Sequence, residues 1–115
     1  METNSAEKAY RYWAGEDAPK ELRLLNGKYW ESPHFTKEYI MYLELQAPKS
    51  WVNSFIALNN LAPAKDSSFV QPSEAPSWFK PTKSQIAFEP SGFSQGSTYF
   101  IDTLTGHMLM YEIQL

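Results

Sequence analysis

Hydrophobic and polar positions alternate most cleanly in two stretches, Glu38 to Gln46 and His107 to Leu115. In the first, Tyr39, Met41, Leu43 and Leu45 share one face, and Ile40, Tyr42, Glu44 and Gln46 share the other. In the second, Leu109, Tyr111, Ile113 and Leu115 oppose Met108, Met110, Glu112 and Gln114. A period of two predicts a β-strand in each. The two also echo each other, Met41-Tyr42-Leu43-Glu44-Leu45-Gln46 against Leu109-Met110-Tyr111-Glu112-Ile113-Gln114. Two half-buried strands would match in this way by coincidence. The sharper reading makes both strands central, with a helix over one face and something else partly over the other. The echo is too short for an internal duplication.

Between these strands the period changes. Pro48 and Ser50 open a helix that runs to about Asn60, with Trp51, Phe55 and Leu58 along one side and Val52 and Ile56 beside them. Such a broad apolar stripe suits a helix lying on a sheet. Asn59-Asn60 ends it, because Asn tolerates the left-handed conformation. A shorter helix spans Ser5 to Ala14, capped by Ser5 and stopped by Gly15, with Tyr10 and Trp13 on one face.

Gln85 to Glu89 and Ser97 to Asp102 are further strands. With His107 to Leu115 they make a C-terminal meander. The turn Asp102-Thr103-Leu104-Thr105-Gly106 joins the last two, using Asp102 to bond N–H groups ahead of it and Gly106 to supply a positive φ. Glu21 to Glu31 is less clear. Leu22, Leu24 and Tyr29-Trp30 suit a strand, in which Asn26-Gly27 marks either a tight turn or a bulge. The rival is a short helix from Pro19 to Leu25. Residues 62–82 form a connector rich in Pro and Ser, and Trp78-Phe79 sits inside it. Connectors this long are uncommon in compact domains.

The expected fold is therefore α+β, a single domain over residues 1–115. It comprises an antiparallel β-sheet of four to five strands, one main helix (about 50–60) packed on it and a short N-terminal helix. The expected core is Met41, Leu43, Leu45, Trp51, Phe55, Ile56, Ile86, Phe88, Tyr99, Ile101, Leu109, Tyr111 and Ile113.

Composition narrows the possible functions without naming one. Hydrophobic residues make up 43% of the 115, which marks a globular chain, and aromatics reach 16%. Net charge is −3 with no basic run, so a nucleic-acid partner is not expected. With no cysteine there is no disulfide, Cys-based zinc site or thiol nucleophile. No stretch has the apolar length of a membrane span. The polar start Met1-Glu2-Thr3-Asn4-Ser5 carries no signal core, which fits a cytoplasmic protein or one exported with its signal already removed. Apolar residues on both faces of two strands also leave room for a homodimer.

Candidate chemistry is sparse. The two histidines, His34 and His107, have no H-x-H or H-x-x-x-H spacing, so a metal site would need Glu31, Glu38 or Asp102 as further ligands. No metal and no cofactor is expected. Either histidine can be set beside a serine on paper, but G-x-S-x-G is absent. Glu31, Glu38 and Glu44 offer carboxylates for acid–base work, yet Glu38 and Glu44 lie roughly 20 Å apart along one strand. Two aromatic features stand out more. One is the segment Lys28 to Tyr39, which holds Tyr29, Trp30, His34 and Phe35 around Pro33; the other is Trp78-Phe79. Each is either core and loop anchor or a binding surface built on rigid rings.

The reading carried forward is a small non-catalytic protein-interaction module, of the physique of inhibitors and immunity-type proteins, binding through Tyr29, Trp30, His34, Phe35, Trp78 and Phe79. The alternatives are an exported or lipoprotein-type domain with a shallow ligand pocket between helix and sheet, and an enzyme without a recognisable motif.

Overall fold

A computed structural model describes residues 1–33, 38–64, 69–92 and 95–115. Its elements run β1 (Glu2–Thr3), α1 (Ala6–Ala14), β2 (Arg23–Glu31), β3 (Tyr39–Gln46), α2 (Lys49–Leu58), β4 (Leu61–Pro63), β5 (Ile86–Pro90), β6 (Thr98–Ile101) and β7 (His107–Gln114). The strands form one antiparallel sheet in the order β1-β2-β3-β7-β6-β5-β4.

The class is α+β as expected, but the sheet has seven strands where the pattern predicts four to five. The additions, β1 and β4, have two and three residues, too few to display an alternation. They are the two edges of the sheet. Short edge strands, one of them ending in Pro63, discourage pairing with other chains.

Both helices form where expected, but the apolar side of α2 is shorter than expected. Leu58, its last residue, is 85% exposed, and only Val52 and Phe55 along it are buried. The Ser5 hydroxyl accepts from the Lys8 N–H at 3.2 Å, and Gly15, at φ 81°, ends α1. α2 ends at Leu58, and Asn60 takes φ 52° just beyond it. The ambiguous segment resolves as a strand. One turn closes from the Leu22 N–H to the Pro19 carbonyl, and β2 then starts at Arg23. The irregularity in β2 lies between Leu24 and Asn26, so the bulged residue is Leu25 rather than the Asn26-Gly27 pair. Gly27 serves packing instead. A Cβ there would stand 2.7 Å from the Ala6 Cα, so its absence lets α1 settle onto β2.

β3 and β7 are neighbours at the centre of the sheet, with Tyr42 opposite Tyr111 and Leu43 opposite Met110. Toward the helices they send Met41, Leu43, Leu45, Met108 and Met110, which pack with Tyr10, Val52, Phe55, Tyr99 and Ile101. On the opposite face, Tyr42, Leu109, Tyr111 and Phe100 are covered by the connector through Phe69, Ala75, Trp78 and Phe79. The sequence echo thus marks two central strands covered on both faces. The apolar surface that leaves room for a homodimer is met within the chain.

The core departs from expectation at four residues. Trp51, Ile56 and Ile113 are half-buried, and Ile86 is 47% exposed. Ile86 begins β5 beyond the reach of β4, which pairs only with Phe88 to Pro90. Phe79, Tyr42, Val52, Met108 and Met110 are buried in addition.

The Asp102 turn forms as the sequence predicts. The Asp102 Oδ1 accepts from the N–H groups of Leu104 (2.9 Å) and Thr105 (3.1 Å), and the Gly106 N–H donates to the Asp102 carbonyl at 2.8 Å. The N–H groups of Thr105 and Leu104 hold the Asp102 carboxyl below the usual carboxylate range. Gly106 has φ 82°, and a Cβ there would collide with the Ala47 carbonyl. Its own carbonyl accepts from the Ala47 N–H at 3.0 Å, which ties the turn to the start of α2.

Two substitutions test this architecture in urea denaturation. Gly106→Val should destabilise by at least about 2 kcal/mol, combining left-handed strain with the collision at Ala47; an unchanged midpoint would refute the turn. Phe55 is buried against the rings of Trp13, Trp51 and Tyr99. Phe55→Ala should cost about 3–5 kcal/mol, and a loss under about 1 kcal/mol would refute the placement of α2.

Candidate functional site

The six aromatic and histidine positions singled out in the sequence do not converge. Tyr29 is buried on the helix face, where it stacks on Tyr39 with ring centroids 5.8 Å apart. Its hydroxyl donates to Glu31 at 2.9 Å. Phe79 is fully buried on the connector face, edge-on to Tyr42 and Phe100. Both rings are therefore interior packing. His34 and Phe35 lie outside the described residues. Trp30 and Trp78 remain, both half-buried and both on the connector face of the sheet.

Trp30 belongs to a pocket of about 270 Å³ lined by Glu2, Lys28, Trp30, Ile40, Tyr42 and Glu74. Strand register builds most of it. Glu2 lies opposite Trp30, Trp30 opposite Ile40, and Lys28 opposite Tyr42, and alternation sends these side chains to one face. The connector supplies Glu74, whose carbonyl accepts from the Lys28 Nζ at 2.9 Å. The Lys28 ammonium also stands 6.0 Å over the Tyr42 ring. Burial, with smaller contributions from Tyr111 and Glu74, pushes the Tyr42 phenol up to about 12. Ile40, Tyr42, Glu2 and Glu74 were not singled out from the sequence. The strand alternation that pairs Trp30 with Lys28 pointed to part of this wall; nothing local marked Glu74.

A second depression on the same face, about 800 Å³, lies between the connector and strands β5 to β7. Phe69, Ala87, Phe100 and Tyr111 give it an apolar floor, and Gln85, Glu89 and Thr98 add polar groups. Tyr42 walls the first depression and Tyr111 the second, and their rings are 5.1 Å apart.

Two polar networks take up the groups best suited to proton transfer. On the helix face, Glu112 accepts from three aromatic donors: the Tyr39 hydroxyl on Oε1, and the Tyr99 hydroxyl (2.7 Å) and Trp13 indole N–H (3.1 Å) on Oε2. On the connector face, the Gln85 Oε1 accepts from the Thr82 N–H at 3.0 Å. That bond turns the Gln85 amide nitrogen toward the His107 Nδ1, 2.8 Å away. Nδ1 is then the acceptor, and the imidazole proton sits on Nε2, facing Glu44 at 2.7 Å. Glu44 also accepts from Asn26 at 2.7 Å. With both ring nitrogens engaged, His107 has none to offer a serine or a substrate. Glu31 and Glu44 leave the sheet on opposite faces and do not pair. Among the described residues, no cluster of three or more His, Asp or Glu side chains could hold a metal ion, and no helix is long and apolar enough to cross a membrane.

Compared with protein-family models, with curated proteins and with solved structures, the chain finds no match in any of the three. Its function must be argued from its own geometry.

The tyrosines around the carboxylates give a pH prediction. Burial first, then Glu112 beside Tyr39 and Tyr99 and Glu31 beside Tyr29, holds all three phenols well above the ordinary 10.0. The folded state thus favours their protonated forms. That stability is fully present below about pH 10 and is lost as the pH rises beyond it, where an unfolded chain releases protons that the folded chain keeps. In tyrosinate absorbance, Tyr29, Tyr39 and Tyr99 should ionise last, only as the protein unfolds, and Tyr42 only near about pH 12, whereas all seven tyrosines should titrate near pH 10 in urea. Seven ionisations near pH 10 in a protein that stays folded would refute the network.

Proposed function

We propose that this chain is a non-catalytic binding module that recognises another protein through the connector face of its sheet, with Trp30 as the anchor. The observation that carries the reading is the pocket around Trp30. An aromatic side chain, half-exposed, stands beside Ile40 and Tyr42 within a rim of charged groups. An apolar centre with a polar rim is how binding energy concentrates at protein interfaces. The non-catalytic part of the proposal draws on Glu112 and His107, whose polar atoms are committed to neighbouring side chains.

A second reading has its own observation. The 800 Å³ depression over Phe100 and Tyr111 is of ligand-pocket size, which favours a domain that holds a small apolar or amphipathic molecule. Its place differs from the sequence expectation of a pocket between helix and sheet, because it lies on the connector side.

Capture from lysate of the source organism separates the two readings. A partner held by the wild type should be lost, or weakened about 30-fold or more, by Trp30→Ala in protein with an unchanged circular dichroism spectrum. Equal capture by both proteins would overturn the anchor. With no partner captured, thermal stabilisation by a small-molecule set, abolished by Phe100→Ala, would move the assignment to the ligand reading.

A further inference from the structure

We infer that the Trp30 pocket receives a lysine or arginine side chain of the partner, an inference that rests on the protein-binding reading above. Size is the first argument. At about 270 Å³ the pocket lies below the usual range for a whole small-molecule ligand and suits one long side chain. The second argument is the nature of the walls. Trp30 and Ile40 offer aromatic and apolar surface to a methylene stem over a floor closed by buried Tyr42, and the indole ring attracts a cationic head.

Charge decides between occupants. Glu2 and Glu74 both line the pocket and both are exposed. Among the described residues the one cation lining the pocket is Lys28, which already donates to the Glu74 carbonyl and forms no ion pair with Glu2 or Glu74. An arriving carboxylate would meet two like charges and an ammonium that is already engaged. An arriving ammonium or guanidinium would meet two carboxylates and the Trp30 ring against one like charge at Lys28. The position of Lys28 over the Tyr42 ring gives an intramolecular precedent for a cation against this wall.

The test uses the full chain, ¹⁵N-labelled, and follows the indole N–H signals of its four tryptophans, with that of Trp30 assigned through Trp30→Phe. The probes are N-acetyl-arginine methylamide, N-acetyl-lysine methylamide and their neutral counterpart N-acetyl-norleucine methylamide. The Trp30 signal should move saturably with the two cationic probes, with midpoints in the millimolar range. Norleucine should bind at least about 5-fold more weakly, and Glu74→Gln should weaken the cationic probes about 3-fold. Norleucine binding as tightly as lysine would overturn the inference, as would affinities unchanged by Glu74→Gln or a Trp30 signal that does not move up to about 50 mM probe. Failure here is distinguishable from failure of the binding reading. A Trp30-dependent partner captured equally well by Glu74→Lys would leave the protein-binding face standing and remove only its cationic occupant.

Discussion

Tyr42 and Leu43 on β3 lie opposite Tyr111 and Met110 on β7, and each pair of side chains leaves the sheet on its own face. All four are buried. A central strand pair that is apolar on both sides leaves the chain one solution, which is to cover both sides. The helices do this on one face through Tyr10, Val52 and Phe55, and the connector does it on the other through Phe69, Trp78 and Phe79. Each large buried side chain contributes roughly 1.5–3 kcal/mol, so neither cover is dispensable to a chain of this length. Among its described residues the connector carries no helix and no strand beyond β4. Its placement depends on rings such as Phe79, held edge-on to Tyr42 and Phe100.

The same strand pair locates the polar networks. As β3 and β7 run out from under their covers, their alternation brings Glu44 and His107 to the connector face and Glu112 to the helix face. A half-buried carboxylate is tolerable only if donors reach it. Three aromatic donors reach Glu112, and Asn26 and His107 reach Glu44. Among the described residues no buried side-chain nitrogen or oxygen is left without a partner. These are the groups that resemble catalytic machinery in a bare sequence. In the fold they join strands to each other and to α1.

This accounts for what could be read in advance. Period and capping carried four strands, both helices and the Asp102 turn, and left β2 open against a rival helix, because those signals are local: alternation in β3 and β7, Ser5 and Gly15 around α1, Gly106 at φ 82°. The two edge strands were not legible, since two or three residues contain no period and form only against a partner that is already in place. The candidate site residues were legible by type but not by side. Tyr29 and Trp30 are adjacent, and alternation alone sends one into the helix-face core and the other to the connector face. Trp78 and Phe79 divide in a similar way, with Phe79 taken into the interior. The pocket around Trp30 needed long-range information, because Glu74 reaches it from 44 residues away along the chain.

The two covers also differ in what they leave open. Helices lie on a sheet with regular ridges and can approach closely, as α1 does where Gly27 lacks a Cβ. An irregular segment punctuated by Pro72, Pro76 and Pro81 has no such regularity. It touches the sheet where an aromatic ring anchors it and stands off between anchors. The connector face accordingly carries depressions on both sides of the Tyr42–Tyr111 pair, one bounded by Trp30 and Glu74 and the other by Phe69 and Phe100. Covering the sheet with an anchored loop rather than a third helix thus gives the fold its stability and its recesses together. It also places those recesses over strands covered on both faces, where a bound side chain would meet walls already held by packing.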